Sequence, residues 1–150
     1  MEASLYENDF YRWTIEQSKK LRCGNFEGLD LQNLADEIES LGRQEKRELE
    51  NRLGVLIGHL LKWQYQQEKR TRSWQITINT QRRAINKLLK DNSSLKSYLK
   101  MALEEGFVSG LDLVLTETPL KKKELPSLCP YTIEQIFDSS FPVDIETEFE

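Results

Sequence analysis

Residues 53–74 read LGVLIGHLLKWQYQQEKRTRSW. Within one helix's length the segment passes from apolar side chains on nearly every face to a basic end flanked by Trp63 and Trp74. A helix that is apolar all round belongs in an interior, packed by other helices on more than one side, whereas arginines, lysines and aromatics make a surface that can hold something. Reading outward, Leu49, Leu53, Leu56, Leu60 and Trp63 recur at three- and four-residue spacing, and Val55, Ile57 and Leu61 widen that stripe. The pattern predicts a central helix over about Arg43 to Gln67. Gly54 and Gly58 remove side-chain bulk along one line of it, which suits close approach of a neighbouring helix or packing across a homodimer.

The flanking sequence continues in helical periods. Asn8 is placed to cap a first helix carrying Phe10, Trp13 and Leu21, and Gly24 to end it in the left-handed conformation. Asp30 opens a second helix with Leu31, Leu34, Ile38 and Leu41 on one seam, stopped or bent at Gly42, with Asp36, Glu37 and Glu39 on its solvated face. After a polar turn near 70–73, a fourth helix places Trp74, Ile78, Gln81, Ile85 and Leu88 on a seam and ends near Asp91 and Asn92. Ser93 or Ser94 starts a fifth helix that runs past Leu99, Phe107 and Val114 until Pro119 stops it. An extended connector near 119–131 follows, then a short C-terminal helix opened by the capping-box spacing of Thr132 and Gln135, and an acidic tail from about 142. The expected fold is all-α: an up-and-down helical bundle of about five main helices plus the short C-terminal helix, as one domain over 1–150.

Composition narrows the function classes. The 150 residues are 31% charged and carry a net charge of −4. The longest uncharged run of the apolar segment, Leu53–Leu61, is too short to cross a bilayer, and the acidic, aromatic start MEASLYENDFYRW is unlike an export signal. A cytoplasmic protein without a membrane span is expected. Cys23 and Cys129 are the only cysteines and form no CxxC pair, so reduced thiols are expected and no zinc site. Glycine-rich phosphate loops and nucleophile elbows are absent, and no cofactor is expected.

Several blocks together resemble one bacterial family, plentiful in cyanobacteria, called Domain of Unknown Function 29. They are LYENDFYRW, DLQNLADEIESLG, HLLKWQYQ, RSWQITINTQRR, SSLKSYL and CPYTIEQI, in order along nearly the whole chain. The resemblance implies an all-helical bacterial domain of about this length and carries over no catalytic residue or ligand.

Two constellations remain as candidates for chemistry. His59, the one histidine, shares a helical face with Val55, Leu56, Lys62 and Trp63, none of them a metal-binding carboxylate. The Glu-x-x-His spacing of di-metal bundles fails because residue 56 is leucine, so a hydrogen-bonded structural histidine is expected and no metal. An enzyme reading requires Glu37, His59 and Arg72 to converge from different helices. The second constellation is electrostatic: from Lys62 to Lys90 eight positive residues face Glu68 alone, a local charge of +7 in a chain of net −4. Such a face, with Trp63 and Trp74 beside Arg72 and Arg82, suits an anionic ligand or a protein partner. Nucleic acid is the runner-up, and the structural reading pairs these charges with acids of the fold. The candidate binding residues are thus His59, Trp63, Arg72, Trp74, Glu37 and Arg82, in a non-enzymatic interaction protein.

Overall fold

The computed structural model describes residues 4–145. It runs α1 (Leu5–Asn8), α2 (Phe10–Cys23), α3 (Leu31–Tyr65), α4 (Arg72–Asp91), α5 (Leu99–Glu117) and α6 (Ile133–Phe137), with 3-10 turns at Gln67–Lys69, Ser93–Tyr98 and Lys122–Glu124. All regular structure among the described residues is helical, as expected for an all-α bundle. The chain divides into two compact units, Met1–Gln44 and Glu45–Glu150, and α3 contributes to both.

The expected break at Gly42 does not occur, and the expected second and third helices are one helix of 35 residues. A mid-helix glycine costs only about 1 kcal/mol relative to alanine, and neither proline nor a left-handed residue follows to take up the freed backbone groups. Glu39 and Arg43 bridge the position as an i,i+4 pair at 3.8 Å. The helix therefore runs through.

In the first unit the turn between α2 and α3 is fixed by side chains of α2. Asp9, rather than Asn8, caps α2 by accepting from the Arg12 N–H at 3.1 Å, while Gly24 ends it at φ 73° as the sequence predicts. The Asp30 carboxylate accepts from Asn33 Nδ2 at 2.8 Å and Trp13 Nε1 at 3.0 Å, and these bonds, that to Asn33 foremost, hold its pKa below the usual carboxylate value. Gln17 Oε1 accepts the Asp30 N–H at 2.8 Å. Tyr6, Phe10 and Trp13 pack as three aromatic rings, with Tyr6 edge-on to Trp13 at 4.8 Å. The expected apolar seam is not buried, since Leu31, Ile38 and Leu41 are each 60% exposed or more. A unit of 44 residues has too little chain to cover every helical face.

The second unit holds the core. Leu49, Leu53, Leu56, Leu60 and Trp63 are all buried along α3, as their spacing predicts, and Ile57 and Leu61 are buried beside them. Arg52 reaches Gln81 at 3.2 Å and Lys62 lies over the Trp74 ring at 5.4 Å, so α3 and α4 run antiparallel. Against another line of α3 lies α5, and the contact is made by glycines from both helices. A Cβ on Gly106 would stand 2.9 Å from Leu53 Cβ and 3.1 Å from Gly54 N, and one on Gly110 would stand 3.1 Å from both Gly54 O and Gly58 N. Numbers rise together along the two helices, so α3 and α5 are parallel, with α4 returning between them in an up-down-up course. Gly54 and Gly58 are thus occupied inside the chain by α5.

The capping box at Thr132 and Gln135 forms as predicted, with reciprocal bonds of 3.1 and 3.0 Å. The expected extended connector is anchored to the core through buried Leu125 and Tyr131. Phe141 and Ile145 also pack on the core, so the segment from 142 begins as packed chain; residues 146–150 of the expected tail lie outside the described residues.

The glycine contact makes a prediction of opposite signs. Gly42 has nothing within 4 Å of a built Cβ, so Gly42→Ala is expected to raise stability by up to about 1 kcal/mol. Gly106→Ala gains the same helix propensity but drives a methyl into the backbone of α3, and a net loss of roughly 1–3 kcal/mol is expected in denaturant unfolding. Equal stabilisation by both substitutions would contradict the close approach.

Candidate functional site

The basic segment is tied into the fold at the end of α3. Lys62 is buried, and its Nζ donates to Glu117 Oε2 on the last residue of α5 at 2.9 Å. Beyond Tyr65 the backbone leaves the helical region, and Arg70 returns to close the helix end. Its Nε donates to Trp63 O at 2.8 Å and its guanidinium stacks on the Trp63 ring at 4.4 Å, placing a cation where the helix presents unpaired carbonyls. Arg82 does the same for α6 from α4, donating to Ile136 O at 2.8 Å and Gln135 O at 3.0 Å. Burial lowers the Arg82 pKa to about 10, which leaves it charged at neutral pH. Three of the eight positive charges therefore serve as clasps.

Between the end of α3 and the segment 130–144 opens a cleft of about 490 Å3, within the range of small-molecule and side-chain pockets. Its apolar walls come from Leu60, Trp63, Pro130, Tyr131, Phe141 and Pro142. The Trp63 indole N–H is sealed from solvent and has no acceptor among the described residues, so Trp63 offers the cleft ring surface rather than a donor. Polar recognition falls to Gln64, Gln67, Arg70, Gln135 and Asp144. Tyr131 crosses the cleft floor and donates its hydroxyl to Gln64 Oε1 at 2.9 Å, while burial holds that phenol protonated by pushing its pKa up.

The predicted residues separate. Trp63 lines the cleft, and Arg82 holds Gln135, a residue of its rim. Trp74 is half-buried under Lys62, and Arg72 is exposed at the start of α4. Glu37 belongs to the first unit, where its carboxylate accepts from the Tyr6 hydroxyl. His59 is half-buried, and because a carbonyl only accepts, its Nδ1–H donates to Val55 O at 2.8 Å. Cys129 is kept as a thiol by burial, which raises its pKa.

Arg70, Gln64, Tyr131 and Phe141 were outside the candidate set. They come from positions far apart in sequence, and periodicity shows only which face a residue takes within its own helix. One signal was present: the blocks HLLKWQYQ and CPYTIEQI, two of those carrying the family resemblance, meet here and supply Leu60, Trp63, Gln64, Pro130, Tyr131 and Gln135.

His59 gives a pH test. Desolvation, aided by nearby Lys62, lowers its pKa below the ordinary 6.5, against the Val55 hydrogen bond and Glu117. The unfolded chain therefore takes up the proton first as pH falls through 6.5, and stability is lost in that window. Unfolding followed from pH 7.5 to 5 is expected to show a smaller loss in His59→Gln than in the parent. Identical slopes would contradict a desolvated histidine.

No helix among the described residues is long and apolar enough to cross a membrane. No curated protein and no solved structure matches the chain. The sequence model of the family described as Domain of unknown function DUF29 matches residues 5–142, and over nearly its whole length the chain belongs to that family.

Proposed function

We propose that this protein is a non-enzymatic interaction module, engaging a protein partner or an anionic ligand at the cleft built on the basic, tryptophan-flanked end of α3. The observation that carries this reading is the placement of Trp63 and Arg70 in one concave site, with apolar walls and a polar rim. Concave apolar sites with a few fixed polar groups are where proteins hold ligands and anchor side chains. Arg70 is oriented in advance by its bond to Trp63 O and its stack on the indole, which reduces the entropy lost on binding.

The nucleic-acid reading has less support. It needs a continuous positive face, and Lys62 and Arg82 are buried in contacts of the fold while Arg70 is spent partly on α3. An enzyme centred on His59 needs a second group to move protons, and the carboxylate assigned to that role, Glu37, is engaged by Tyr6.

Val143 lies on the rim and is 78% exposed, so Val143→Glu places a charge in the cleft without disturbing the core. Tagged parent and Val143→Glu proteins are compared for co-purifying proteins and small molecules from the native host, and for affinity to a 20-base-pair DNA duplex across salt concentrations. A species retained by the parent and lost by the variant, without affinity for the duplex, is the expected result. Equal retention by both proteins, or steeply salt-dependent duplex binding, would overturn the reading.

A further inference from the structure

We infer that the cleft takes a molecule with an apolar body ending in a carboxylate. This rests on the cleft being the binding site and goes further by naming the chemistry it accepts. Gln64 has its carboxamide oxygen occupied by the Tyr131 hydroxyl, which leaves its NH2 to donate. Gln135 has its oxygen occupied by the Thr132 N–H at 3.0 Å, which likewise leaves its NH2. Arg70 spends Nε on Trp63 O and retains the two terminal nitrogens of the guanidinium. Three neighbouring rim groups thus have their acceptors or inner donors used within the fold and present N–H groups outward.

A rim that offers donors selects a ligand rich in acceptors, and one fixed guanidinium makes an anion the preferred form. Carboxylate matches the planar pair of N–H groups that arginine presents. Tyr131, Phe141 and Pro142 set the other half of the recognition, because they give an apolar body surface to cover. Cationic ligands would face three donor groups, with the Asp144 carboxylate and the Gln67 carboxamide oxygen as the rim side chains able to accept from them. Asp144 opposes an anion, and it sits at φ 72°, a conformation that asparagine also tolerates, so its charge is removable without strain. The carboxylate has two sources, a free small acid or the C-terminus of an apolar peptide.

Binding is measured by calorimetry on the full chain with 4-phenylbutyrate, its neutral amide and 4-phenylbutylamine. A second arm uses a tetrapeptide ending in phenylalanine, with its C-terminus free or amidated. The carboxylate is expected to bind about tenfold or more tightly than the amide, and the amine not at all. Arg70→Gln is expected to remove that preference, and Asp144→Asn, which leaves the clasp at Trp63 intact, to strengthen carboxylate binding severalfold. Tighter binding of the free-ended peptide identifies a chain terminus as the source, and tighter binding of phenylbutyrate a small acid. Equal binding of acid and amide, preference for the amine, no binding of any probe, or indifference to Asp144→Asn would overturn the inference. If Val143→Glu still abolishes retention of a partner while every carboxylate fails, the cleft stands as an interaction site and only its chemistry is wrong.

Discussion

The close approach of α3 and α5 is the constraint on which the second unit depends. Four glycines, two from each helix, bring the backbones so near that an added methyl at Gly106 or Gly110 meets main-chain atoms. Without that approach the apolar middle of α3 would lack a neighbour on the glycine line. α4 packs into the same core through Ile78, Ile85 and Leu88, and α3 is buried along its apolar middle because both neighbours are present. Lys62 then bonds Glu117 at the last residue of α5, so the glycine contact and the ion pair together fix where α3 ends.

From that fixed end the cleft follows. Arg70 closes the carbonyl end of α3, Tyr131 reaches across to Gln64, and Arg82 holds the carbonyl end of α6. A side chain that caps a helix end is also oriented by doing so. The rim of the cleft is consequently preorganised by bonds whose first role is structural, and binding there requires little further ordering.

Much of this was legible in the sequence where local physics decides. The stripe from Leu49 to Trp63, Gly24 as a left-handed terminator, and the Thr132 and Gln135 capping box are set by spacing and short-range bonds, and all are found. Gly42 was misread because glycine permits a break without forcing one; no competing cap follows it. The seam of Leu31, Ile38 and Leu41 shows the opposite failure, since periodicity identifies an apolar face and says nothing about whether anything covers it. The basic cluster was legible as an excess of charge but not as three separate clasps, because its partners lie on α5, in the last turn of α3 and on α6. Local sequence also left open whether Gly54 and Gly58 face another helix of the chain or another copy of it.

The glycine contact is tested most directly by nuclear Overhauser effects in protein labelled selectively at glycine, where seven residues are to be resolved. Cross-peaks linking Gly54 to Gly106 and Gly58 to Gly110 are predicted, and they are predicted to persist when labelled protein is diluted with unlabelled protein. Their absence, or their appearance only between copies in a mixed-label sample, would contradict the parallel packing of α3 on α5 and the placement of the cleft that follows from it.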